Sequence, residues 1–202
     1  MSYTDDFNNT PPETIIEQAK TLFLNKETKA VARELLEKGV LAHPNHAELN
    51  YTLGHHLLLR GSKFNKESEN FLKRAVALDP EHLRACMALG KLYTLTKDFS
   101  KAESWYAQAF KIEQNDPYTL VSMGHMFQEQ GEYFWPMARG CFNRAREIAP
   151  DDKKASSRLA EIEEKSGKTY TPNDWAITKN WLSLLATQKP EQGSFTPPDI
   201  NS

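Results

Sequence analysis

His43 and His46 stand three residues apart, a spacing that seats a metal ion when both side chains share one helical face. Pro44 lies between them and interrupts any such helix, and no cysteine or acidic cluster adjoins them in sequence. The pair therefore reads as part of a loop, and no metal is expected. His55 and His56 are neighbours, so they point to different sides of a helix. Cys86 and Cys141 read as buried, inert thiols in a reduced setting. Arg139, Asn143 and Arg146 share one helical face near Lys153 and Lys154. That stripe either holds an acidic group or is a solvated surface. A phosphate-cradling glycine loop, a nucleophile elbow and a paired metal motif are all missing from the sequence. The expectation is a protein without catalytic residues or cofactor.

Bulk composition narrows the class further. The 202 residues carry 25 Lys and Arg against 27 Asp and Glu, for a net charge of −2. Five of the acids, Asp5, Asp6, Glu13, Glu191 and Asp199, lie near the two ends, which leaves 25 basic and 22 acidic residues elsewhere. That excess is too small for a nucleic-acid face. Apolar runs are short and broken by charges, so no membrane insertion is expected. The first residues, MSYTDDFNNTPPE, have neither a basic start nor an apolar stretch. A cytoplasmic location is the expectation.

The elements that position these residues come from a repeat. Gly54, Gly90 and Gly124 each follow Leu or Met, and each is followed three residues later by Leu57, Tyr93 or Phe127. Further along come Ala75, Ala109 and Ala145, each preceded three residues earlier by Leu72, Tyr106 or Phe142. Pro44, Pro80 and Pro150 close units, with Gln114 in the remaining place. A helix accepts an internal Gly, at about 1 kcal/mol relative to Ala, where another helix must come close. Three such glycines in phase predict paired helices throughout.

The units resemble the tetratricopeptide repeat, a helix–turn–helix of about 34 residues, over residues 13–150. Four repeats are expected, at 13–46, 47–80, 83–116 and 117–150. The third fits without gaps. The second and fourth are two residues longer, within GSKFNKES and GEYFWPMA, and the first is degenerate, with Lys20 in place of the Gly. A polar helix within 151–168, ending near Gly167, caps the last repeat. An amphipathic helix over 171–187 puts Trp175, Thr178, Trp181, Leu182 and Leu185 on one face. Residues 1–12 and 188–202 are expected to be disordered tails. The resemblance implies an all-α, right-handed superhelical solenoid of about four repeats plus C-terminal capping helices.

It also implies a function. In this family the first helix of each repeat lines a concave groove, which makes the chain a non-catalytic protein–protein interaction scaffold, an adaptor or assembly chaperone. Carried over position by position, the groove residues are Glu48, Tyr51, Thr52, His55 and Leu58, then Arg84, Met87, Ala88, Lys91 and Thr94, then Tyr118, Val121, Ser122, His125 and Gln128. The clamp by which some members grip acidic chaperone tails fails here. Its positions hold Glu17, Thr21, Thr52, Arg84 and Ala88, of which only Arg84 is suitable. The expected ligand is a peptide or protein of unstated identity. Phe134 and Trp135 in the aromatic turn, and Trp175 and Trp181 in the C-terminal helix, are expected either to pack locally within the chain or to form a second interface. The alternative function, an oligomerising structural subunit and so a homo-oligomer, uses the Trp helix.

Overall fold

A computed structural model describes residues 7–185 and 187. Among these residues the chain is all-α, with no strand. It divides into two compact units, Met1–Ala88 and Leu89–Ser202, each of which is described by itself.

The first unit holds α1 (Pro12–Phe23), α2 (Lys29–Ala42), α3 (Ala47–Leu59), α4 (Asn65–Leu78) and the start of α5 (Leu83–Leu95). Pro12 opens α1, where its missing N–H costs nothing. A core of Ile15, Ile16, Ala19, Leu36, Leu49, Leu53 and Leu57 joins α1, α2 and α3. Each fully buried Leu or Ile there contributes about 1.5–3 kcal/mol. α4 packs on α3, where a Cβ on Gly54 would lie 2.9 Å from Leu72 Cγ.

The segment before α1 departs from the expected disordered tail. Residues 7–10 form a turn fixed by His43, whose Nε2–H donates to the carbonyls of Phe7 and Thr10, each at 2.9 Å. Phe7 packs against the core. Residues 1–6 and 188–202 lie outside the described residues.

The second unit holds the rest of α5, then α6 (Phe99–Ile112), α7 (Pro117–Gln130), α8 (Trp135–Ile148), α9 (Lys153–Ser166) and α10 (Pro172–Leu185). Its glycines act as Gly54 does. A Cβ on Gly90 would meet the Tyr106 ring at 2.8 Å, and one on Gly124 the Phe142 ring at 2.5 Å. Acidic caps start the helices. Asp98, Asp116 and Asp152 accept from the N–H groups of Lys101, Thr119 and Lys154. Short 3₁₀ turns link the paired helices of three repeats, at Lys26–Thr28, Ser62–Phe64 and Glu132–Phe134, the last two taking up the extra residues of the long repeats. Gly61 and Gly131 enter those turns at φ 106° and 121°, a region L side chains avoid.

α10 is where the fold departs furthest from its sequence pattern. It packs on α8 and α6. Gly140 admits it, since a Cβ there would lie 2.6 Å from the Asp174 carbonyl oxygen. The Thr178 hydroxyl donates to that same carbonyl at 2.7 Å.

Candidate functional site

His46 and His82 start α3 and α5 in the same way. Each Nδ1 accepts a backbone N–H from the first turn, of Leu49 and of Ala85, so each Nε2 carries the proton. Those Nε2–H groups face acids of the preceding first helix. His46 reaches Glu13 at 3.3 Å, and His82 reaches Glu48 at 3.1 Å. The histidines near residue 43 thus serve as a loop brace and a helix cap. The signal for this was the 36-residue interval from His46 to His82, rather than the short His43–His46 spacing.

Around Glu48 the first unit forms a cavity of about 450 Å³, lined by Tyr51, Thr52, His55, His56 and Arg84 among others. The Arg84 guanidinium donates to both Glu48 oxygens, at 2.9 and 3.0 Å, and stands over the Tyr51 ring, 5.1 Å from its centroid. Tyr51 also meets the rings of His55 and His82 at 5.5 and 4.9 Å. Burial on its own would raise the Glu48 carboxyl; the hydrogen bond from His82 and the charge of Arg84 outweigh it and hold the group below its usual range. Burial raises the Tyr51 phenol. His56 stacks on Phe23 at 4.0 Å, and burial with nearby cations lowers it to about 4, so it is neutral at pH 7. Met87 is half-buried in α5, while Leu58 and Ala88 are buried and do not present a groove surface.

In the second unit a cavity of about 740 Å³ opens between α5, α7 and α9. Lys91, Thr94 and Leu95 line it from α5, Val121, Ser122 and His125 from α7, and Lys153, Lys154, Ser157, Arg158 and Glu161 from α9. Tyr106 of α6 also faces it, its phenol buried and raised by that burial. Thr94 is itself buried, its hydroxyl given to the Gly90 carbonyl at 2.9 Å. Burial lowers the His125 imidazole against the pull of Glu129. Gln128 donates to Glu161 at 3.2 Å. Tyr118 is 63% exposed.

The contribution of α9 was missed, although its signal was present. The cap Asp152 follows Asp116 by 36 residues, and the same shift carries Val121, Ser122 and His125 to Ser157, Arg158 and Glu161. α9 thus repeats the lining positions of α7 as well as capping α8.

The stripe on α8 is split: Arg146 is exposed, while Arg139 and Asn143 are turned into the unit. Arg139 is 4% exposed, and its Nε donates to Asp174 Oδ2 at 3.0 Å. Asn143 is buried and bonded to Glu147 and Arg146. Lys153 and Lys154 open onto the cavity instead. Of the two alternatives for the aromatic residues, their burial favours local packing. Trp181 is 2% exposed within its own unit, and Trp175 is half-buried with its ring 6.1 Å from Phe110. Phe134 stacks on Phe127 at 6.3 Å, and Trp135 is half-buried. Tyr133, 42% exposed, is the aromatic this turn presents. Cys86 and Cys141 are both buried, which raises both thiols, Cys86 to about 12.

Residues 65–119 match the family model described as tetratricopeptide repeat. A TPR repeat-containing protein from Dictyostelium discoideum is 29% identical over 102 residues, covering 47% of this chain and 38% of that protein. The chain spans 38% and 8% of the lengths of two curated relatives it matches. Among solved structures, a thermophilic TPR protein of Thermus thermophilus superposes with a TM-score of 0.66 at 21% identity, over 77% of this chain and 82% of that one. YrrB, described as a TPR protein with an unusual peptide-binding site, gives a TM-score of 0.59 at 21% identity, over 75% of each chain. At these identities the solved structures establish the shared fold.

Proposed function

We propose that this chain, which matches the tetratricopeptide repeat model over residues 65–119 and shares the fold of solved TPR proteins, is a non-catalytic scaffold of that family. It binds a peptide segment of a partner protein along the first helices of its repeats, as an adaptor or assembly chaperone in the cytoplasm. The observation that carries this reading is the pair of open cavities, one per unit, each lined by first-helix residues. One is floored by Tyr51 and His55, the other by Val121 and His125. Half-buried aromatic and aliphatic groups beside charged rims suit a peptide, which offers apolar side chains and backbone polar groups together. The likeness to YrrB, whose description records a peptide-binding site, supports the same reading. No helix among the described residues is long and apolar enough to cross a membrane.

For oligomerisation through the Trp helix, α10 spends Trp181, Leu182 and Leu185 inside its own unit and leaves Leu184 as its exposed large apolar side chain among the described residues. The test is partner recovery from the native cell, with wild type and with Tyr51, Met87 and Tyr118 all changed to Ala. Recovery falls at least tenfold if these residues anchor the peptide, because side chains at the centre of an interface commonly cost more than about 1 kcal/mol each. Unchanged recovery with an unchanged melting profile refutes the proposal.

A further inference from the structure

The two cavities differ in how their cations are employed. In the first unit Arg84 is already held by both oxygens of Glu48, which His82 also faces. In the second unit Lys91, Lys153 and Lys154 are exposed, line one cavity, and have no acidic partner among the described residues. Arg158 also lines it and is paired with Glu161 at 3.0 Å, but Glu161 is shared with Lys165 at 2.6 Å and with Gln128. Four fixed cations therefore face one carboxylate that is already engaged. A concave wall bearing one sign of charge concentrates its field on whatever enters.

Beside this rim lies apolar surface. Leu95 is exposed and Val121 half-buried within the same cavity. An inorganic anion or a bare acidic run would leave that surface unused. We infer that the cavity between α5, α7 and α9 is a site for an acidic peptide segment of a partner protein, with carboxylates on Lys91, Lys153 and Lys154 and an interspersed aliphatic side chain on Leu95 and Val121. The inference rests on the scaffold reading and names the chemistry of its ligand. It uses residues outside the failed clamp positions, and two of its three lysines come from α9. His125, lowered by burial, adds apolar and hydrogen-bonding surface rather than charge at neutral pH.

The probe is a fluorescein-labelled ten-residue peptide of Asp-Glu pairs separated by Leu, read by fluorescence anisotropy on the full chain. Two comparison probes are its Asn/Gln counterpart and a ten-nucleotide single strand of thymidines. The acidic peptide binds at least tenfold tighter than the amide peptide and tighter than the oligonucleotide. Its binding weakens as salt rises from about 50 to about 300 mM, which brings screening well inside about 10 Å. Changing Lys91, Lys153 and Lys154 to Ala lowers affinity about tenfold, the size expected of three partly exposed ion pairs. A variant with Lys66, Lys111 and Lys179 changed to Ala removes the same charge elsewhere and leaves affinity within about twofold. Equal loss in both variants, equal binding of the amide peptide, or preference for the oligonucleotide overturns the assignment. If cellular partners still depend on Tyr51, Met87 and Tyr118 but not on the three cavity lysines, the scaffold stands and the acidic ligand falls.

Discussion

Asp174→Ala tests whether the buried ion pair holds α10 in place. Arg139 and Asp174 side chains are 5% and 8% exposed, with Nε to Oδ2 at 3.0 Å and Nη2 to Oδ1 at 3.5 Å. With the carboxylate gone, the guanidinium keeps the Ser166 hydroxyl, at 3.4 Å, as a hydrogen-bonding partner. Breaking one side of a buried pair costs about 3–5 kcal/mol. Asp174 also accepts the Thr171 backbone N–H at 3.1 Å; losing such a helix-start bond costs about 1 kcal/mol more. A total of about 4–6 kcal/mol corresponds to a melting temperature lower by about 8–24 °C for a chain this size. The measurement is urea denaturation followed by circular dichroism and by the fluorescence of Trp105, Trp135, Trp175 and Trp181 together. A second variant, Arg139→Met with Asp174→Leu, removes both charges and recovers most of the loss, since an apolar pair of similar volume is often neutral in such a place. A loss below about 1 kcal/mol in the single variant, or a double variant no more stable than the single one, refutes the argument that an uncompensated charge is the cause.

Gly140→Ala gains about 1 kcal/mol of helix propensity, yet it sets a Cβ against the α10 backbone. The expected net result is destabilisation by about 1–3 kcal/mol, with faster hydrogen exchange in α10; a stabilised variant would contradict the close approach. Glu103 is buried, and burial raises its carboxyl to about 7 against the hydrogen bond that Gln130 donates to it at 2.8 Å. The folded chain thus keeps a proton that the unfolded chain releases near the ordinary glutamate value of 4.5. The stability this group allows is full below that value and is lost as pH rises through about 7, on the order of 3 kcal/mol in all. Glu103→Gln flattens that fall between about pH 5 and 8 in denaturation curves; an unchanged slope counts against the assignment.

Much of the fold was legible because repetition makes weak signals add. One internal glycine is ambiguous, but Gly54, Gly90 and Gly124 in phase, each with a large side chain in its partner helix, imply close helix pairs. Two of the 3₁₀ turns were legible as surplus residues, though not as geometry, and the one at Lys26–Thr28 was not legible at all. The α8–α10 contact was not legible. Arg139 and Asp174 are 35 residues apart and look like ordinary surface charges in polar stretches, so nothing local marks them as partners. Trp175 and Trp181 announced a face to be buried without saying where. Gly140 was the missing clue, lying off the repeat and so outside the pattern that made the other glycines visible. In the cavity of the second unit, Lys91, Val121 and His125 followed from repeat position. Lys153 and Lys154 did not, because α9 reads first as a polar cap and only secondarily as one more lining helix.

The three phased glycines share a task but not a mate: Leu72 fills the space over Gly54, Tyr106 that over Gly90, and Phe142 that over Gly124. The repeats are therefore not interchangeable parts. Transplanting the helix that bears Leu72 behind Gly124 would leave a hollow where a ring belongs, and the reverse graft would wedge a ring into room cut for an isobutyl group. Any recombinant built from this chain must move each glycine together with the side chain that covers it.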